Sequence, residues 1–219
     1  MVREHVGGRA VKGKGKAGPK KDSVIVVAGE GDFDRKVLWH LVRAFRPDAK
    51  IVNLRDKTCL GPADKELTPR IDKLRRLVQA ASLRSELAGL VVHVDLDLVN
   101  EEKYVEVRKR ISDELQNAFS CPSAVALAAF ETEAWLMQFP SAFTKVNSGW
   151  VLKARYKSCD LAKVHDPKKV LREHPWKPPY QVSDAPRIME KALGADGKVI
   201  RPEGKNRSYD EFVAELAAW

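Results

Sequence analysis

The chain has 219 residues, 44% of them hydrophobic and 32% charged, with a formal net charge of +9. That is ample apolar material for a buried core, either one large domain or a core with an appendage, and no apolar run approaches the roughly 20 residues of a membrane span. Three widely spaced cysteines (Cys59, Cys121 and Cys159) without a CxxC pair, and five scattered histidines, give no zinc signature and fit a reduced, cytoplasmic protein.

Residues 1–21 hold seven Lys/Arg and one Glu, so +6 of the charge lies there and +3 in the remainder. This Gly- and Lys-rich stretch lacks the apolar segment of a secretory signal and is expected to be a disordered tail over residues 1–22. Its charge points towards a polyanionic partner, nucleic acid first, by release of condensed counterions. A merely solubilising tail has the same composition.

The first apolar run, Ser23 to Ala28, reads as a buried strand. After Gly29-Glu30-Gly31, Phe33, Val37, Leu38, Leu41, Val42 and Phe45 recur at helical steps, and Pro47 ends the pattern. Lys50 to Leu54 is a second strand and residues 56–67 a loop. Thr68-Pro69 open a helix with Ile71, Leu74, Leu77, Val78 and Ala81 on one face. Val91 to Leu98 is a third strand ending in Asp95 and Asp97. A helix from about Asn100 to Phe119 follows, with Glu101 and Glu102 at its positive end. Ser123 to Phe130 is a fourth strand, small and apolar as an inner parallel strand is, and Glu131 to Phe139 a helix stopped by Pro140. This alternation predicts an α/β fold, a mainly parallel Rossmann-like sheet with helices on both faces and right-handed crossovers. Residues 141–219 read as a helical layer on a core of 23–140. It contains short helices at 150–163 and 167–173, a helix at 185–193, a loop at 194–205, and a last helix from Tyr209 to Trp219. Trp39, Trp135 and Trp150 are assigned to the core, whereas Trp176 and Tyr180, in a Pro-rich segment with Lys177, are candidate base-stacking residues.

Three expected strands end in acids: Glu30, Asp32 and Asp34 after the first, Asp95 and Asp97 after the third, Glu131 and Glu133 after the fourth. In an extended strand Asp95 and Asp97 leave one face about 7 Å apart, and His93 shares that face by parity. All lie at the carboxyl edge of the expected sheet, where open α/β sheets bind ligands. Singly, each group is also an ordinary partner of a helix N-terminus, and His93 an ordinary hydrogen-bonded strand residue. Together they repel unless a cation neutralises them, and oxygen donors suit Mg²⁺ or Mn²⁺.

The segments Val27-Ala-Gly-Glu30-Gly-Asp-Phe-Asp34, Val94-Asp95-Leu-Asp97 and Phe130-Glu131-Thr-Glu133-Ala-Trp-Leu136 resemble, in that order, the acidic motifs of a Toprim domain. The variety is that of the overcoming-lysogenisation-defect (OLD) nucleases and their small stand-alone relatives. The resemblance covers roughly residues 23–139. It implies a metal site of Glu30, Asp34, Asp95, Asp97, Glu131 and Glu133 loaded with Mg²⁺ or Mn²⁺, and metal-dependent cleavage of DNA or RNA. It also implies a setting in phage defence or nucleic-acid processing, with any ATPase on a separate chain. Glu30 and Asp95 are the catalytic acids on this reading. The family's downstream lysine falls among Lys168, Lys169 and Lys177, with Lys177 taken as the catalytic candidate. Two alternatives stand beside it: a non-catalytic nucleic-acid- or partner-binding module, and a haloacid-dehalogenase-type phosphatase with Asp95 as nucleophile and Asp97 as acid, although two strands precede that motif here.

Overall fold

The computed structural model describes residues 22–55, 60, 66–97 and 100–219. The basic tail, Cys59 and most of the expected 56–67 loop lie outside them. Four strands, β1 (Ser23–Ala28), β2 (Lys50–Asn53), β3 (Glu86–Asp95) and β4 (Ser123–Ala128), form an all-parallel sheet in the order β2-β1-β3-β4. Between them run α1 (Asp32–Phe45), α2 (Thr68–Ala81) and α3 (Glu101–Ala118). The α/β, Rossmann-like architecture expected from the alternating pattern is therefore the one adopted.

Strand parity divides the core in two. Val26, Ala28, Leu90, Val92, Val94, Val125 and Leu127 pack against α2 and α3 through Leu74, Val78, Val107, Ile111 and Leu115. The alternate residues Ile25, Val27, Val91, Ala124, Ala126 and Ala128 face α1 and the C-terminal helices. On that second face β4 offers only alanines, and the small side chains leave room for the Trp135 ring stacked on Phe212 with centroids 5.4 Å apart. Gly89 of β3 serves the same end, because a Cβ there would lie 2.5 Å from the Trp219 ring.

The C-terminal segment comprises α4 (Glu133–Leu136), α5 (Pro140–Val146), α6 (Pro167–Arg172), α7 (Ala185–Lys191) and α8 (Arg207–Ala218), with 3-10 turns at Ala154–Tyr156, Leu161–Lys163 and Val182–Asp184. Its buried side chains share one cluster with the sheet residues above. Arg46, after α1, donates to the carbonyls of Leu216 and Trp219 and ties α1 to the end of α8. On the outer edge of β4, Glu215 accepts from the Val125 N–H at 2.8 Å and Arg108 donates to its carbonyl at 3.0 Å, so side chains satisfy both backbone groups of Val125 that face away from the sheet.

Several expected boundaries move. The helix expected over 131–139 is only the four-residue α4, and Pro140 opens α5 instead of ending a helix, as its missing N–H allows at a first turn. Much of the segment expected as a helix at 150–163 is irregular, with two single 3-10 turns. Trp176 and Tyr180 are not stacking platforms on the surface. Trp176 stacks on Trp150 at 5.4 Å, and Tyr180 is fully buried, because the Pro-rich segment folds inward on an aromatic cluster. Trp135 and Trp150 are buried and Trp39 half-buried.

Candidate metal centre

In the order β2-β1-β3-β4 the connection after β1 runs one way and that after β2 crosses back over β1. The sheet therefore changes winding direction between β1 and β3. Outside the carboxyl ends of such a pair the two crossovers diverge and leave a crevice. Asp34 comes from the first turn of α1, directly after β1, and His93 and Asp95 from the last residues of β3. One ligand atom from each of the three lies within 4.8 Å of the others, a group that can hold a metal ion. Gly29 permits this approach, since a Cβ on it would sit 2.9 Å from the His93 Cβ.

The donor set fits a cation. His93 is fully buried, and among the described residues neither of its ring nitrogens has a hydrogen-bond partner; the buried Oδ1 of Asp95 also lacks one. His93 Nε2 and Asp95 Oδ1 approach to 3.2 Å, a charge contact without hydrogen-bond geometry. Burial alone would push the His93 pKa down, but Asp95, and then Asp34 and Glu30, raise it to about 9. Without a cation the imidazolium is thus the counter-charge of the cluster. Asp34 is oriented by the buried Thr132, whose hydroxyl donates to Oδ1 at 2.6 Å.

The remaining acids surround this group in distinct roles. Glu30 is half-buried at the end of β1 and its charge reaches His93. Glu131 accepts from both the backbone N–H (3.0 Å) and the Nζ (2.5 Å) of Lys168 at the start of α6. Glu133 is 2% exposed and accepts from the Tyr180 hydroxyl at 3.1 Å. Burial raises the Glu133 carboxyl against the pull of Lys168, with Glu131 and Asp34 adding to the rise, to about 7. Burial and Glu133 likewise hold the Tyr180 phenol protonated, well above its ordinary range.

Asp97 does not repeat the direction of Asp95. The strand ends at Asp95, and Asp97 is an exposed residue in the left-handed conformation with φ 53°. Partial burial of its carboxyl and the charge of Asp95 still raise its pKa, against Lys168, so it remains within electrostatic reach of the rim.

The lysine at the acids is Lys168. Burial disfavours its charge, but Glu133, Glu131 and Asp95 outweigh that and raise its pKa. Lys177 is exposed beside the buried Trp176, and it is Lys168 that pairs with Glu131 and whose charge reaches Glu133. Set against models of protein families, curated proteins and solved structures, the chain matches none. A separate cavity of about 270 Å³, lined by Asn100, Tyr104, Ala129, Lys163 and Arg207 among others, opens beside the end of β4, and none of the clustered acids lines it.

Thr132 and Tyr180 had no mark in the sequence as partners of the acids. Thr132 stands between two glutamates in an irregular turn, where no period says which way it points. Tyr180 lies 47 residues beyond the glutamate it meets. Among the described residues no helix is long and apolar enough to cross a membrane.

Proposed function

We propose that the chain is a metal-dependent phosphodiester hydrolase of Toprim type acting on nucleic acid, with Asp34, His93 and Asp95 as the cation's ligands. The observation that carries the reading is the convergence of these three donors within 4.8 Å at the point where the sheet reverses its winding. An imidazole among carboxylates favours Mn²⁺ over Mg²⁺, which takes oxygen almost alone. When bound, such an ion supplies Lewis acidity towards a phosphoryl oxygen and an attacking water.

The protein's own groups do the rest. Lys168, anchored by Glu131 and within reach of the charge of Asp95, would act towards a transferring phosphoryl group, where a fixed cation stabilises charge that grows in the transition state. Glu133, at about 7, can take or give a proton near neutral pH, the property a general acid or base needs, and Tyr180 holds it in place. Thr132 donates to one oxygen of Asp34 and so fixes the orientation of that carboxylate. Glu30 and Asp97 are the outer carboxylates of the rim, coupled by charge to His93 and Asp95.

The test is cleavage of plasmid and RNA with Mn²⁺ or Mg²⁺ by wild type, Asp95→Ala and His93→Ala. Loss of cleavage in both variants, with retained folding by circular dichroism, is expected. Undiminished cleavage in Asp95→Ala would falsify the site. A second reading, a non-catalytic nucleic-acid- or partner-binding module, is supported by the cluster's internal neutralisation through protonated His93 and Lys168. It predicts no Mn²⁺ binding by calorimetry at neutral pH.

A further inference from the structure

The positive charge is distributed unevenly. Apart from residues 1–21, the excess lies in residues 153–172, which hold seven Lys/Arg and two Asp, a net of +5; everything outside these two segments carries −2. Lys168 at one end of α6 reaches the acids. Lys169 and Arg172 follow on the same helix and are exposed, and a helix of six residues carries the row about 9 Å outward. At its far end His174 bonds back to Val170 O at 2.7 Å and packs its ring 6.0 Å from Tyr156, over which the Arg155 guanidinium lies at 4.7 Å. Lys153, Arg155 and Lys157 therefore adjoin the exit of α6, and all three are exposed. Among the described residues Lys153, Lys157 and Arg172 have no carboxylate partner, and the pairs Lys163–Asp160 (3.5 Å) and Lys169–Glu173 (3.9 Å) are long and exposed. Exposed pairs of that kind hold little of the charge in place.

We propose that the exposed cations of residues 153–172 form the surface along which a nucleic-acid phosphate backbone runs to the acidic cluster. The inference rests on the hydrolase reading above and adds to it the path of the substrate. A row of cations that begins at the site suits a polymer of regularly spaced phosphates. An anionic lipid surface would have to present its charge at the crevice as well as at the helix.

The test uses the full chain and a fluorescein-labelled single strand of mixed sequence, titrated by anisotropy in EDTA at several KCl concentrations. The variant Lys153→Ala/Lys169→Ala/Arg172→Ala is compared with the control Arg75→Ala/Arg76→Ala/Lys109→Ala, whose cations lie on α2 and α3. In the first variant the slope of log affinity against log salt is expected to fall by about 2, and affinity by about ten-fold or more. The control should retain both. An unchanged slope, a slope no different from the control's, or wild-type binding to phosphatidylserine vesicles but not to the strand overturns the proposal. Loss of binding in the first variant, with no cleavage by wild type in Mn²⁺, keeps the surface and removes the hydrolase. Cleavage by that variant at wild-type KM removes the surface and keeps the hydrolase.

Discussion

The raised pKa of His93 makes the stability of the metal-free protein depend on pH in a definite window. Its folded value, about 9, stands above the ordinary 6.5 because Asp95, Asp34 and Glu30 outweigh the cost of burial. The folded state therefore holds a proton between those values that the unfolded state has lost. The stabilisation is complete below 6.5 and is lost as pH rises through 9. At about 1.4 kcal/mol per pH unit of displacement, it amounts to about 3 kcal/mol. Urea unfolding in EDTA at pH 6, 7.5 and 9.5 should show a decline of that order for wild type. Asp95→Asn removes the largest attraction and should flatten most of it. The same proton must leave if His93 is to hold a cation. Calorimetry of Mn²⁺ binding at pH 7.5, in two buffers of different ionisation enthalpy, should therefore show about one proton released per ion. Equal pH dependence in wild type and Asp95→Asn would refute the assignment of His93 as the counter-charge, and binding without proton release would refute its place among the ligands.

Thr132→Val should weaken Mn²⁺ binding about ten-fold by freeing Asp34 to rotate, and Thr132→Ser should restore it, both read by calorimetry. Lys168→Ala should lower the cleavage rate about 10²- to 10³-fold while leaving Mn²⁺ affinity within a few-fold, because its role is towards substrate charge. Gly89→Ala drives a methyl into the Trp219 ring, 2.5 Å from the new Cβ, and should cost about 1–3 kcal/mol in urea unfolding. Removing the ring in Gly89→Ala/Trp219→Ala should relieve that steric part.

The pattern of the chain was enough to determine the α/β class, the four strands and the helices that join them. Buried parallel strands must be continuously apolar, and amphipathic helices must repeat near 3.6, so Ser23–Ala28, Asp32–Phe45 and Glu101–Ala118 announce themselves. The carboxyl-edge position of the acids follows from the same alternation, since every crossover leaves its strand on that side. Periodicity ends where the regular elements end, and there the sequence no longer carried the answer. The αL turn at Asp97 takes that carboxylate off the face that parity assigned to it. His93 becomes a ligand candidate only because the order β2-β1-β3-β4 sets the end of β3 beside Gly29 and Asp34. Lys168 in place of Lys177, Thr132 on Asp34 and Tyr180 on Glu133 are contacts across 37, 98 and 47 positions. Such pairings are decided by how an irregular, proline-interrupted segment packs on the sheet, and local propensity contains no term for that.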